Sequence, residues 1–299
     1  MLSYLIFMAT LACIYGLMAL GLNLMWGMTG LVNLGLVGFF AVGAYASALG
    51  VTALGLPIGA GMVLAMLVAG AAGALVSVCL ARLRDDYFAI VTLGFAEVIR
   101  VVADNEIWLT RGSDGISGIP QPLRAQLGTA FNPAYLALCA LALLAAWLML
   151  ERLRTAPLGR VLRALRDDQH VAATAGKNVL KFKALASAVA GTLAGLGGAL
   201  YAHHSSYIAP DVFQSIVTIY VFLAVTMGGR GNNTGAVLGA FLVVGFLEGS
   251  RFLIDQLPWL TSVQGAALRQ IVIGLALLAA LIWRPTGLLP EPRARSAVP

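Results

Sequence analysis

Long apolar runs alternate with short polar breaks along nearly the whole chain. A helix needs about 20 apolar residues to cross a bilayer. On that measure the pattern predicts nine spans, near residues 3–25, 31–50, 57–81, 86–104, 133–151, 182–203, 214–229, 234–255 and 264–283. No strand-like alternation competes with this reading. The second and seventh stretches are short or rich in glycine, so a re-entrant or broken helix is the alternative there. The first begins at Leu2 with no basic flank and runs without a clear cleavage site to about Trp26. It is read as a retained span and not as a signal peptide. The expected fold class is all-α: a polytopic membrane protein of about 8–10 transmembrane helices, forming one domain over residues 1–299.

Two of these spans carry the same charged pattern, G-F-x-E-x-x-R-x-x-x-D. The first copy runs from Gly94 through Glu97 and Arg100 to Asp104, and the second from Gly245 through Glu248 and Arg251 to Asp255, an offset of 151 residues. At about 100° per residue, each trio falls within roughly 60° on one helix face. Glu and Arg at i, i+3 can pair, which lowers the cost of burying both. Each stripe is expected to face protein or a water-filled cavity and not lipid. Glu97, Arg100, Glu248 and Arg251 are therefore either structural ion pairs or candidates for the translocation path or its external gate. A proton relay is disfavoured, because each Glu has an Arg in reach. The offset suggests duplication. Four spans separate the copies, an even number, so the expectation is two pseudo-symmetric parallel repeats.

Composition agrees with the span pattern. The chain is 60% hydrophobic and 11% charged, against roughly 25% charged in a soluble domain. Its mean hydropathy is +0.89. The net charge of +6 does not indicate nucleic acid, because the basic residues cluster as membrane orientation requires. The 152–183 loop holds 8 of the 19 basic residues and is placed in the cytoplasm. Arg82, Arg84, Arg230 and the tail with Arg284, Arg293 and Arg295 then fall on the same side. The 105–132 segment becomes an external loop. The N-terminus lies outside if all nine spans cross.

Within the 152–183 loop, Pro157 can open a helix and Gly176 can close one. Val161, Leu162, Leu165 and Val171 or Ala172 give a partial apolar stripe. The segment reads as an amphipathic cytoplasmic helix, or two short ones. It either rests on anionic lipid or docks a cytoplasmic partner. Many of the glycines lie in spans, and Gly191 and Gly195 make a G-x-x-x-G pair suited to close helix approach. Asn23 and Asn33 flank the first cytoplasmic turn, as interhelical hydrogen bonders or as lining residues. Gly176-Lys177 is not a phosphate loop, since position 171 is Val and position 178 is Asn. His203 and His204 are adjacent and point about 100° apart on a helix, which argues against a shared metal. Cys13, Cys79 and Cys139 lie in apolar stretches without metal-ligand spacing and suit packing. No nucleophile–base set, metal site or cofactor motif stands out, so bond chemistry is not expected.

Several motifs together resemble the LivM-type permease subunit of branched-chain amino-acid ABC importers. They are Gly21-Leu22-Asn23-Leu24 with Gly27, Thr29-Gly30-Leu31 and Asn33-Leu34-Gly35. To these are added Gly43-Ala44-Tyr45, Tyr87-Phe88-Ala89-Ile90-Val91-Thr92-Leu93 leading to Glu97 and Arg100, and Asp114-Gly115-Ile116 with Ile119-Pro120. Further along come Pro157-x-Gly159-Arg160, Ala172-Ala173, Gly176, Met227-Gly228-Gly229-x-Gly231 and Arg284-Pro285-x-Gly287-Leu288. The likeness covers about residues 15–290. Departures are mild: Asp85 or Asp86 where the family has Gly, Ala156 where it has Ser, and a less glycine-rich stretch at Ser113-Asp114-Gly115. The resemblance implies a passive pore in the bacterial inner membrane, formed with a second homologous permease subunit. Two cytoplasmic ATPase subunits would drive it, and an external substrate-binding protein would deliver the cargo. It marks Gly159, Arg160, Arg163, Arg166, Ala172, Ala173 and Gly176 as ATPase-coupling residues. Urea and short-amide importers use similar permeases, which leaves the substrate open. An ion-coupled secondary transporter is the reading from another class.

Overall fold

A computed structural model describes residues 2–81, 83, 85–122, 124–254, 262–283 and 286–291. Among the described residues, nine long or medium helices fall on the nine predicted spans. α1 is Leu2–Leu22, prolonged by a π-helical turn, Asn23–Met28. α2 is Leu36–Thr52, α3 Ile58–Cys79 and α4 Asp85–Asn105. After two short helices, α5 (Ile107–Thr110) and α6 (Arg124–Leu127), comes α7, Phe131–Thr155. The basic loop forms α8, Pro157–Asp167, and α9, Gln169–Thr174. Then follow α10 (Val179–Ser205), α11 (Ile216–Gly228), α12 (Asn233–Ile254) and α13 (Ser262–Trp283). The strands described are two-residue pieces, β1 (Ile116–Ser117) and β2 (Tyr207–Ile208), paired antiparallel. The chain is thus an all-α polytopic membrane protein.

Among the described residues, five helices are long and apolar enough to cross a bilayer: Leu2–Met28, α3, α7, α10 and α12 over Asn233–Ser250. The stretches expected to be broken are the shorter ones. α2 has 17 residues and α11 has 13. At about 1.5 Å per residue, α11 extends only about 20 Å, less than the hydrocarbon core of roughly 30 Å. Each is preceded by an irregular segment, 29–35 before α2 and 206–215 before α11. Irregular backbone at membrane depth must find partners within the protein. For 29–35, Leu34 N donates to Thr92 Oγ1 (3.2 Å), Gly35 N to Asn33 Oδ1 (2.8 Å) and Leu31 N to Met25 O (2.9 Å). For 206–215, β1 and β2 pair Ile116 with Ile208, and Ile119 N donates to Ser206 O. The first turns of the two short helices meet, where Val37 N donates to Thr218 Oγ1 (3.2 Å).

The arrangement repeats, with a geometry different from the expected one. α1 and α10 cross antiparallel: Gly21 lies on Ala190, the Ile14 carbonyl near Gly197, and Phe7 stacks on His204. α3 packs on α10 as α12 packs on α1, and α2 packs on α3 as α11 packs on α12. α4 sits on α2 as α13 sits on α11. Lengths agree: 27 residues for both Leu2–Met28 and α10, and 22 for both α3 and α12. Each pair runs in opposite directions, so the halves α1–α4 and α10–α13 are related as an inverted repeat. The stretches 86–104 and 234–255 do run in the same direction, as expected for the shared charged pattern. In this pairing, however, α4 corresponds to α13 and α12 to α3. The physical reason is connectivity: α7 adds one crossing between the halves, so the second half starts from the other face.

Small residues set the closest approaches. A Cβ on Gly43 would stand 2.3 Å from Gly195 Cα, and one on Gly191 would stand 2.4 Å from the Ala69 carbonyl oxygen. The tight-packing reading of Gly191 and Gly195 therefore holds, since backbones touch where side chains would intrude.

Candidate functional site

The loop ends expected to share one side do converge. Arg166 Nη1 donates to Gly27 O (2.5 Å) and to Glu291 Oε2 (2.9 Å). Gly231 N donates to Asn23 Oδ1 (2.8 Å), and Leu288 N donates to Met227 O (2.8 Å). Among these end residues, Arg82, Arg84, Arg284, Arg293 and Arg295 lie outside the described residues. On the opposite face are Tyr4, the 105–132 segment and residues 206–215. There His203 Nδ1 lies 2.7 Å from Pro120 O and Nε2 lies 3.0 Å from Ser47 Oγ. A carbonyl only accepts, so Nδ1 carries the proton and Ser47 donates to Nε2. His203 is a structural tie, and no group of metal-ligating side chains exists among the described residues.

The 152–183 segment is built by local rules. Ala156 is extended, as the residue before a proline should be, and Pro157 opens α8 at its first position. Gly159 sits where a Cβ would lie 2.4 Å from Leu153 O, so glycine permits the sharp elbow from α7 into α8. Arg163 Nη1 caps the Arg154 carbonyl at the end of α7 (3.3 Å). Asp168 caps α9, accepting from His170 N (2.7 Å) and Val171 N (3.1 Å). The Val171 and His170 N–H groups hold its carboxyl below the usual carboxylate range. Gly176 ends α9 with φ of 77°, a left-handed position that glycine takes freely.

Leu162, Leu165 and Ala172 are buried against the helix ends. Outside them, a groove of about 600 Å³ opens between α8 and α9. Val161, Ala164, Val171 and Ala175 form its apolar walls, and its charged lining is mixed: Arg160 and Lys177 with Asp167 and Asp168. The expected coupling residues thus divide. Arg160 and Ala173 are exposed and Ala172 lines the groove, whereas Gly159, Arg163 and Arg166 hold the segment to the helices.

Asn23 and Asn33 are fully buried and satisfied locally. Asn23 Nδ2 donates to Asn233 Oδ1 (3.0 Å), and Asn233 Nδ2 donates to Glu151 Oε2 (3.1 Å). Glu151 in turn pairs with Arg154 one turn along α7. Asn33 turns onto Gly35 N, with its amide 3.7 Å from Met25 Sδ. Both act here as hydrogen bonders that fix irregular backbone. The sequence reading missed Asn233, Glu151 and Glu291. A carboxylate at the end of an apolar span was the available signal for Glu151.

On α4, Arg100 Nε donates to Glu97 Oε1 (2.9 Å), the i, i+3 pair expected. The pair is open on one side: the Glu97 side chain is 47% exposed and that of Arg100 25%. Its neighbours are residues of the segment that leads into α11. Ser215 lies near Glu97, and Asp104 and Asp211 act on Arg100 electrostatically. The second copy has other surroundings. Tyr4 Oη donates to Glu248 Oε2 (3.1 Å) at the start of α1. The Arg251 side chain and Asp255 lie outside the described residues. The two stripes share a pattern but not an environment.

A helical membrane domain with two broken helices, an inverted repeat and an external groove on its basic face is a transporter architecture. The sequence profile described as branched-chain amino acid transport system / permease component matches residues 4–281, and the chain belongs to that family. The high-affinity branched-chain amino acid transport system permease proteins LivM of Escherichia coli and Salmonella typhimurium are each 34% identical to it over 308 residues. That alignment covers 95% of this chain and 70% of theirs. The guanosine ABC transporter permease protein NupQ of Bacillus subtilis is 29% identical over 77% of this chain and 76% of its own. LivH of Escherichia coli is 25% identical over 95% of this chain and 93% of its own. No solved structure gives a significant match.

Proposed function

We propose that the chain is one permease subunit of an ATP-driven importer of branched-chain amino acids in the bacterial inner membrane. It supplies half of the translocation path and no bond chemistry of its own. A second homologous permease covers the open side of α4, one of two ATPase subunits seats on the α8–α9 groove and the other on the second permease, and a soluble binding protein delivers cargo outside. The observation that carries this reading is the division of the coupling segment. One side is anchored to the helix ends by Arg163 and Arg166, and the other is an open groove with apolar walls and charges of both signs, Arg160 and Lys177 with Asp167 and Asp168.

Glu97 and Arg100 are the path candidates, since the pair is partly exposed and lies near Ser215 and Asp211 at the entry to α11. A zwitterionic amino acid presents one group of each sign, which such a pair can meet in turn. The higher identity to the LivM proteins favours branched-chain amino acids over a nucleoside such as the NupQ name prints. Reconstitution into vesicles with the ATPases, the second permease and the binding protein tests the reading. ATP-dependent leucine uptake that competes with isoleucine and valine, but not guanosine, is expected. Ion-driven uptake by the chain alone would overturn it.

A further inference from the structure

Arg166 of the basic loop reaches beyond it into the membrane domain with a polar group. Arg166, at the end of α8, is largely buried and donates to the Gly27 carbonyl (2.5 Å). Gly27 lies in the π-helical turn of α1, just before the irregular 29–35 segment that starts α2. A π-helical turn is a strained, readjustable piece of helix. Gly30, two residues past that turn, packs directly under Arg166, at 3.3 Å from its Cα to a built Cβ.

Glu291 Oε2 accepts from the same Nη1 (2.9 Å), and Asp167 Oδ1 accepts from Nε on the other side of the guanidinium (3.3 Å). Glu291 packs on Gly231, where a Cβ would stand 2.9 Å from Glu291 Cδ. Arg230, whose guanidinium lies over the Trp26 ring at 5.2 Å, feels Arg166 and Glu291 with opposite signs. Glu291 is therefore the counterion of Arg166, with Arg230 of the α11–α12 turn near enough to feel both charges. In the rest of the knot, Gly231 N is held by Asn23. A shift of α8 thus has one direct polar route into the break of α1.

We infer that Arg166 is the positioning residue that transmits movement of the docking segment to the broken start of α2, with Glu291 as the clamp that keeps its guanidinium on the Gly27 carbonyl. This rests on the permease reading above. The Glu291 contact sets direction and the Gly27 contact carries displacement. Two rigid elements joined through one charge-assisted hydrogen bond move together only while that bond lasts.

The test uses the assembled importer and the variants Arg166→Gln, Arg166→Lys and Glu291→Gln. Arg166→Gln should assemble, hydrolyse ATP within about twofold of the wild type, and import at least about 10-fold less leucine per ATP. Glu291→Gln should show a smaller loss of the same kind, and Arg166→Lys, which keeps the charge without the fork, should fall between them. Leucine imported per ATP that is unchanged in Arg166→Gln would overturn the inference. If Arg166→Gln does not assemble, Arg166→Lys carries the same comparison.

A second readout does not depend on transport. Hydrogen exchange of the 27–35 amides should change when the ATPase subunits dock on the wild-type permease, and should not change in Arg166→Gln, while 157–175 is protected in both. Equal changes at 27–35 in the two proteins, or none in the wild type, would refute the link. A wild-type assembly that shows the exchange change but no ATP-driven import would count against the permease reading alone.

Discussion

Two polar clusters stand at opposite ends of the helix assembly, and they are satisfied in different ways. At the docking end, Asn23 is fully buried and its amide is matched from the chain itself, by Gly231 N and Asn233. On α4, Glu97 and Arg100 pair with each other but remain half and a quarter exposed. A buried polar group without a partner is costly, so the first cluster has to be closed. The second keeps hydrogen-bonding capacity on its open side. The contrast teaches that polarity within a membrane helix does not by itself mark a working surface. The unfilled side does.

The sharpest way to break the comparison is at Gly27. A Cβ there would stand 2.3 Å from Asn23 Oδ1 and 2.6 Å from Gly231 N. Gly27→Ala should therefore displace the whole closed cluster and lower stability by about 3 kcal/mol or more, measured by thermal unfolding in detergent. Next comes Asn23→Ala, which leaves the Gly231 amide unmatched and should cost about 1–3 kcal/mol. The surviving protein should still import, and a specific loss of import at full stability would move Asn23 into the path.

Glu97→Gln should behave in the reverse way. Its pair is partly exposed, so stability should change by less than about 1 kcal/mol, while import falls at least about 10-fold. The swapped pair, Glu97→Arg with Arg100→Glu, sharpens this. If it restored both folding and import, a substrate-facing role for either charge would be indefensible.

The smallest effect is expected at Asp168, an exposed cap that belongs to neither cluster. Its folded pKa is depressed, so the cap contributes above the unfolded carboxylate value of about 3.9 and is lost as pH falls through the lower folded value. Asp168→Asn should flatten that acid limb, read from the helicity of 157–175 between neutral and acidic pH, and should leave neutral behaviour nearly unchanged.

Much of the fold was legible because membrane helices obey a local rule. Apolar length, loop charge, Pro157 and Gly176 act within a few residues of themselves, and each appears where it was expected. The broken second and seventh spans were readable for the same reason, since they are too short to cross alone. The site was legible in part. Glu97 pairs with Arg100 because both lie on one helix at i, i+3. The second stripe repeats the letters, yet Glu248 meets Tyr4 from the far end of the chain. Nor did spacing reveal that Arg166 faces inward to Gly27 and Glu291, although Arg160 on the same helix faces out.

The sequence by itself determined an all-α membrane protein, its spans, the face that carries the basic loop, and the family to which it belongs. These follow from hydropathy, charge bias and short motifs, which need no knowledge of neighbours. Only the tertiary structure decided that the halves are inverted, that Asn23 is a closed tie, and that Arg166 joins α8 to the π-helical turn of α1. Those contacts link residues 125 to 210 positions apart. They depend on which helix faces pack together, and each helix's own pattern leaves that choice open.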